Sequence, residues 1–100
     1  MLFMIVEHFK QGKTKDIYCR FEERGRMMPK GLKYVDSWTS ANLDRCFQLM
    51  ECDDASLFQE WILQWSDLAE FEIIPVVSSK KTKQVVDRLV NLVDKDLPET

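Results

Sequence analysis

The residues able to do chemistry in this chain gather in one block. Tyr34, Asp36 and Trp38 recur at every second position of Gly31-Leu-Lys-Tyr-Val-Asp-Ser-Trp38, and Arg45 and Gln48 follow in Asp44-Arg-Cys-Phe-Gln-Leu-Met-Glu51. Residues two apart on a strand point to the same side, so Tyr34, Asp36 and Trp38 are expected to share a face. If the connector is the four residues Ser40 to Leu43, Trp38 lies opposite Arg45 and Asp36 opposite Phe47. Asp36 and Arg45 are then diagonal neighbours within ion-pair reach. Aromatic walls around one oriented polar pair are the chemistry of a small-molecule pocket. The same residues also describe a satisfied Asp–Arg pair beneath an aromatic core cluster, because buried charges come paired.

His8, the single histidine, stands beside Glu7 near the end of an apolar run. Histidine titrates near neutrality and suits a general base, with Asp36 the other candidate for that role. The structural alternative for His8 is a plain strand-end position. Trp61 and Trp65 sit near the centre of a stripe with Leu57, Phe58, Ile62 and Leu68, an arc of about 140° on a helix. They read either as core or as pocket wall, and their indole N–H groups need partners, for which Gln48 and Asp36 are the candidates. Cys19, Cys46 and Cys52 are odd in number and form no CxxC pair, which reads as reduced thiols. One histidine and scattered cysteines give no metal spacing, so neither a metal nor another cofactor is expected. Glu51, Asp53 and Asp54 are explained by a helix start directly after them.

These groups must be positioned by seven elements: strand, helix, strand, strand, helix, strand, helix. Residues 2 to 9 are apolar on both alternations and read as a central strand. Thr14 is the expected N-cap of the first helix, and Gly25 with Pro29-Lys-Gly31 ends it. Asp53 or Asp54 caps a helix that runs through Trp61, Trp65 and Leu68. Phe71 to Val77 is the fourth strand, and Pro75 places it at a sheet edge because proline donates no ladder hydrogen bond. Ser78 or Ser79 caps the last helix, whose stripe is Val85, Val86, Leu89, Val90 and Val93. Lys80, Lys81 and Lys83 oppose that helix's dipole, so it needs something to pack against.

The order βαββαβ predicts an α+β, ferredoxin-like fold: an antiparallel four-stranded sheet of order 4-1-3-2, plus a C-terminal helix. A single domain over residues 1–100 is expected, with a core at 1–78 and a helical extension at 79–100. Two helices cover one face of such a sheet, yet the first and fourth strands are apolar on both faces. A bare apolar sheet is an association surface, so a homodimer through sheet-to-sheet packing is expected. The composition, 45% hydrophobic and 31% charged, is that of a globular protein, and the net charge of -3 argues against nucleic-acid or anionic-membrane binding. The apolar opening is too short for a signal peptide or a membrane span, and it favours the cytoplasm. No glycine-rich phosphate loop, GxSxG elbow or HExxH occurs.

Met1-Leu-Phe-Met-Ile-Val-Glu7, the two hairpin segments and Asp54-Ala-Ser-Leu-Phe-Gln-Glu-Trp-Ile62 together resemble an uncharacterised small bacterial family, a domain of unknown function, over residues 1 to about 78. The resemblance implies the dimeric α/β-barrel superfamily, in which two ferredoxin-like sheets pack face to face; it implies no particular reaction. The functional expectation is a dimer binding a small apolar or aromatic molecule between sheet and helices, with Tyr34, Asp36, Trp38, Arg45, Gln48, Trp61 and Trp65 as ligand contacts. One alternative is a cofactor-independent monooxygenase or isomerase using the same pocket, with His8 or Asp36 as base. The other is a purely structural or protein-binding dimer.

Overall fold

Alternation along β1 (Leu2–Phe9) sorts the whole molecule into two sides. Phe3, Ile5, Glu7 and Phe9 face the helices, and Leu2, Met4, Val6 and His8 face away. In the computed structural model, which describes residues 1–96 and side chains through residue 91, the other elements follow the expected order. They are α1 (Thr14–Arg24), β2 (Lys33–Thr39), β3 (Arg45–Glu51), α2 (Ser56–Ile62), β4 (Ala69–Val76) and α3 (Ser79–Asp96). The four strands form one open antiparallel sheet of order β2-β3-β1-β4, which is 4-1-3-2 read from the other edge. This is compatible with a ferredoxin-like topology. Pro75 lies on the edge strand β4, opposite Phe3, where its missing N–H costs no ladder bond.

The core lies between α1, α2 and the covered face. Phe3, Ile5 and Met50 from the sheet meet Ile17 of α1 and Phe58 and Trp61 of α2, with Trp65 and Leu68 completing it from the turns after α2. Phe3 and Phe58 pack edge to face at 4.9 Å, as do Trp61 and Phe71 at 5.2 Å. Gly25 ends α1 with φ +67°, a left-handed turn that glycine adopts without strain, and its N–H donates to the Phe21 carbonyl. Val93 of the expected α3 stripe has its side chain outside the described residues, as do residues 97–100 entirely.

Four expectations about local structure are corrected. The hairpin connector is Ala41–Asp44, one residue later than Ser40–Leu43, so Trp38 faces Phe47 and Asp36 faces Leu49. Polar side chains of the loop set this register: Ser40 Oγ accepts the Arg45 amide at 3.0 Å and lies 2.8 Å from Asn42 Oδ1 and 2.9 Å from Asp44 Oδ1. A β-bulge between Tyr34 and Asp36 then breaks the alternation of β2, leaving Tyr34 on the covered face opposite Met50 and Asp36 on the other. The second helix is shorter than its stripe suggests. After Ile62 the chain tightens into i→i+3 turns that still bring Trp65 and Leu68 onto the core side. Asp54 starts it, accepting the Ser56 amide at 3.0 Å. Thr14 caps nothing; it is the first residue of α1, and its hydroxyl donates to the Leu43 carbonyl.

Candidate functional site

Glu7 is the one charged residue on the covered face of β1, and it lies beneath α1, only 5% exposed. On β3, Cys46 pairs with Glu7 and Gln48 with Ile5 in register, so all three side chains meet on the floor of one recess. Gln48 Nε2 donates to Glu7 Oε2 at 2.7 Å, whereas Gln48 Oε1 is buried with no partner. Above this floor is a half-open cavity of about 110 Å³. Its walls are aromatic: Phe9 of β1, Tyr18 and Phe21 of α1, and Trp61 and Trp65. Tyr18 and Thr39 close one rim with a hydroxyl–hydroxyl hydrogen bond of 2.9 Å.

Arg26, just past the end of α1, organises the other rim. Its carbonyl accepts both indole N–H groups, from Trp61 at 2.9 Å and from Trp65 at 3.0 Å. Neither Gln48 nor Asp36, the expected partners, takes part. The Arg26 guanidinium lies 3.7 Å above the Tyr34 ring and 5.0 Å from the Phe21 ring. Nearby, Arg20 forms a two-bond clamp on Asp67 at 2.8 and 2.7 Å and holds α1 against the turns that carry Trp65.

Burial pushes the Glu7 carboxyl above its usual range, against the opposing pull of the Gln48 hydrogen bond and the Arg26 charge. The Cys46 thiol is likewise pushed up, first by burial and then by the Glu7 charge, so it is a neutral thiol rather than a reactive thiolate. The floor thus offers a protonatable carboxyl and a buried amide acceptor with no partner, inside aromatic walls. That combination can orient a small molecule and can exchange a proton with it.

Of the residues expected at the site, Gln48, Trp61 and Trp65 line this cavity, and Tyr34 stands beside it through Arg26. Asp36, Trp38, Arg45 and His8 lie on the opposite side of the sheet. There the Asp36 carboxylate accepts the Ser37 amide at 2.8 Å, and Arg45 sits 3.5 Å from Asp44. Asp36 and Arg45 are four register positions apart, about 13 Å along the strands, so the expected ion pair does not form. His8 Nε2 is 2.6 Å from Glu72 Oε1. The residues that sequence reasoning passed over are Glu7, Arg26, Cys46 and Tyr18. Glu7 carried a signal: a carboxylate on the same alternation as Phe3, Ile5 and Phe9. Arg26 carried none, because its role rests on the position of its carbonyl.

Among the described residues no group of three or more His, Cys, Asp or Glu is placed to hold a metal ion, and no helix is long and apolar enough to cross a membrane. Residues 1–90 match the model of a family described as Domain of unknown function (DUF3303). The match runs beyond residue 78, where the resemblance was expected to stop, and takes in much of α3. No curated protein and no solved structure matches the chain at a significant level.

Proposed function

We propose that this chain, which belongs to the DUF3303 family, is a homodimeric module that holds a small, largely apolar or aromatic molecule in the cavity between the sheet and α1. One observation carries the reading: Gln48 Oε1 is buried and unpartnered in a recess whose walls are aromatic. An unmet buried polar atom costs about 1–3 kcal/mol, and a ligand that donates a hydrogen bond there removes that cost. The size fits a single ring, since a dry cavity of about 150 Å³ takes benzene and this one has an open side. The preferred ligand therefore carries one donor, a hydroxyl or an amide N–H, on a small aromatic or aliphatic body.

The dimer is proposed through the side of the sheet that no helix covers, as in a dimeric α/β barrel. Leu2, Met4, Val6, Phe47, Leu49, Ile74 and Val76 share that face, and Trp38 stands 51% exposed on it. A contiguous apolar patch of this kind marks an interaction surface. A cytoplasmic setting suits the three free cysteines.

A thermal-shift series with phenol, benzyl alcohol, benzamide and their donor-free ethers tests the pocket. The donor-bearing compounds should raise the melting temperature, and the Gln48→Met variant should lose the response; a ligand at one hundred times its Kd adds about 2.7 kcal/mol. Equal responses to phenols and ethers, or none from any compound, would refute the proposal. A second reading has its own support, because the Glu7 carboxyl faces the cavity with its pKa raised and so suits general-base work. In that reading the protein is a cofactor-independent isomerase or monooxygenase with Glu7 as the base. His8 and Asp36 stand on the other face of the sheet. Turnover that survives Glu7→Gln would rule that reading out.

A further inference from the structure

α3 leaves the body of the molecule. Every described side chain from Ser79 to Asn91 is exposed, yet Val85, Val86, Leu89 and Val90 form one apolar stripe along it. Its first turn carries Lys80 and Lys81 and no acid, so its dipole is uncompensated and its own hydrogen bonds are weak support. Ser78 fixes its departure: Oγ accepts the Lys81 amide at 3.2 Å, and the carbonyl accepts that of Thr82 at 2.9 Å. The radius of gyration is 18.8 Å, whereas a compact chain of this length has about 13 Å. The surface exposed is 7473 Å², against about 5,900 Å² for a compact monomer of the same mass. The surplus, about 1,500 Å², is what one partner gives up in a permanent dimer interface.

We infer that α3 is an exchanged arm whose apolar stripe lies along β2 on the uncovered sheet face of a second copy, over Trp38. The inference rests on the homodimer proposed above and adds the segment that completes it. Exposure supports the assignment: Trp38 on β2 is 51% exposed, and Val85, Val86, Leu89 and Val90 on the arm are 48–61% exposed. Length supports it too: the 18 residues of α3 span about 27 Å and the strands about 25 Å. The arm and β2 are also the two most exposed elements of the fold. Each chain thus supplies the cover that the other lacks.

The test uses the full chain and the Val86→Asp/Leu89→Asp variant. Sedimentation of the wild type at micromolar concentration should give twice the 11.9 kDa monomer mass. The variant should dissociate at least a hundredfold more easily. Its fold is checked by unchanged strand content in circular dichroism and a retained cooperative melt, since Val86 and Leu89 are exposed in their own chain. In a sample mixing labelled and unlabelled wild-type chains, the Val86, Leu89 and Val90 methyls should show contacts to the Trp38 indole across chains. An unweakened variant dimer, or no such contacts, would overturn the arm and leave the sheet-to-sheet dimer standing. A wild type that stays monomeric at every concentration would overturn both.

Discussion

The two faces of the sheet are made by the same four strands and are both rich in apolar side chains, yet they end in different states. On the covered face Ile5 and Met50 are fully buried, and the polar pair Glu7–Gln48 is enclosed with them. On the other face Trp38 and Ile74 remain exposed, and the charged groups gather at the margins as His8–Glu72 and Arg45–Asp44. Alternation alone does not separate these outcomes, because both alternations of β1 are apolar. The helices decide: α1 and α2 present Ile17, Phe58 and Trp61 to one side, and α3 carries its apolar stripe away from the other. The face that is finished within the chain holds the cavity. The unfinished face is the one to which the proposed partner is assigned.

The largest expected contrast is between two tryptophans. Trp61→Ala removes a 2% exposed indole and its bond to the Arg26 carbonyl, and should cost about 3–5 kcal/mol of stability in chemical denaturation. Trp38→Ala should change the stability of the dissociated chain by no more than about 0.5 kcal/mol. Similar losses from both would erase the distinction between the faces.

A smaller effect separates the buried carboxyl from the marginal ones. The Glu7 pKa is raised in the folded state. Its contribution is therefore fully present below the ordinary value of 4.5 and is lost as pH rises through the raised one. Glu7→Gln should be more stable than the wild type at neutral pH, and the difference should shrink toward acid. A difference that does not vary with pH would place Glu7 in water. The smallest effect lies at the rim, where Arg20 holds the Asp67 carboxyl down to about 2. Asp67 contributes stability above its ordinary value of 3.8, lost as pH falls through about 2. In a carboxyl NMR titration, Arg20→Gln should return Asp67 toward that ordinary value with little change in melting temperature, because the pair is exposed. An unmoved titration would show that Arg20 is not the cause.

Much of this architecture was legible in the chain. The element order, the edge position of Pro75 and the surplus of apolar strand surface all follow from local patterns that period-2 and period-3.6 spacing reveal. The site was legible only in part. Gln48, Trp61 and Trp65 stand out in the sequence as large or polar groups inside apolar patterns, and they do line one cavity. Glu7 meets the same criterion, whereas its neighbour His8 turns to the other face. Tyr34, Asp36 and Trp38 looked like one cluster because nothing in the local pattern announces a bulge at Val35. A single inserted residue turns Tyr34 to the opposite face from the other two.

What the sequence determined by itself is the set of strands, their order and the apolar character of both faces of the first and fourth strands, because these depend on residue spacing within each element. What only the tertiary structure decided is which groups meet. Gln48 reaches Glu7 across 41 residues, and Trp61 and Trp65 find the Arg26 carbonyl across 35 and 39. These contacts depend on strand register, on where α1 stops and on how tightly the chain turns after α2. Each is set by the fit of distant segments to one another, so no local pattern of residue types encodes it.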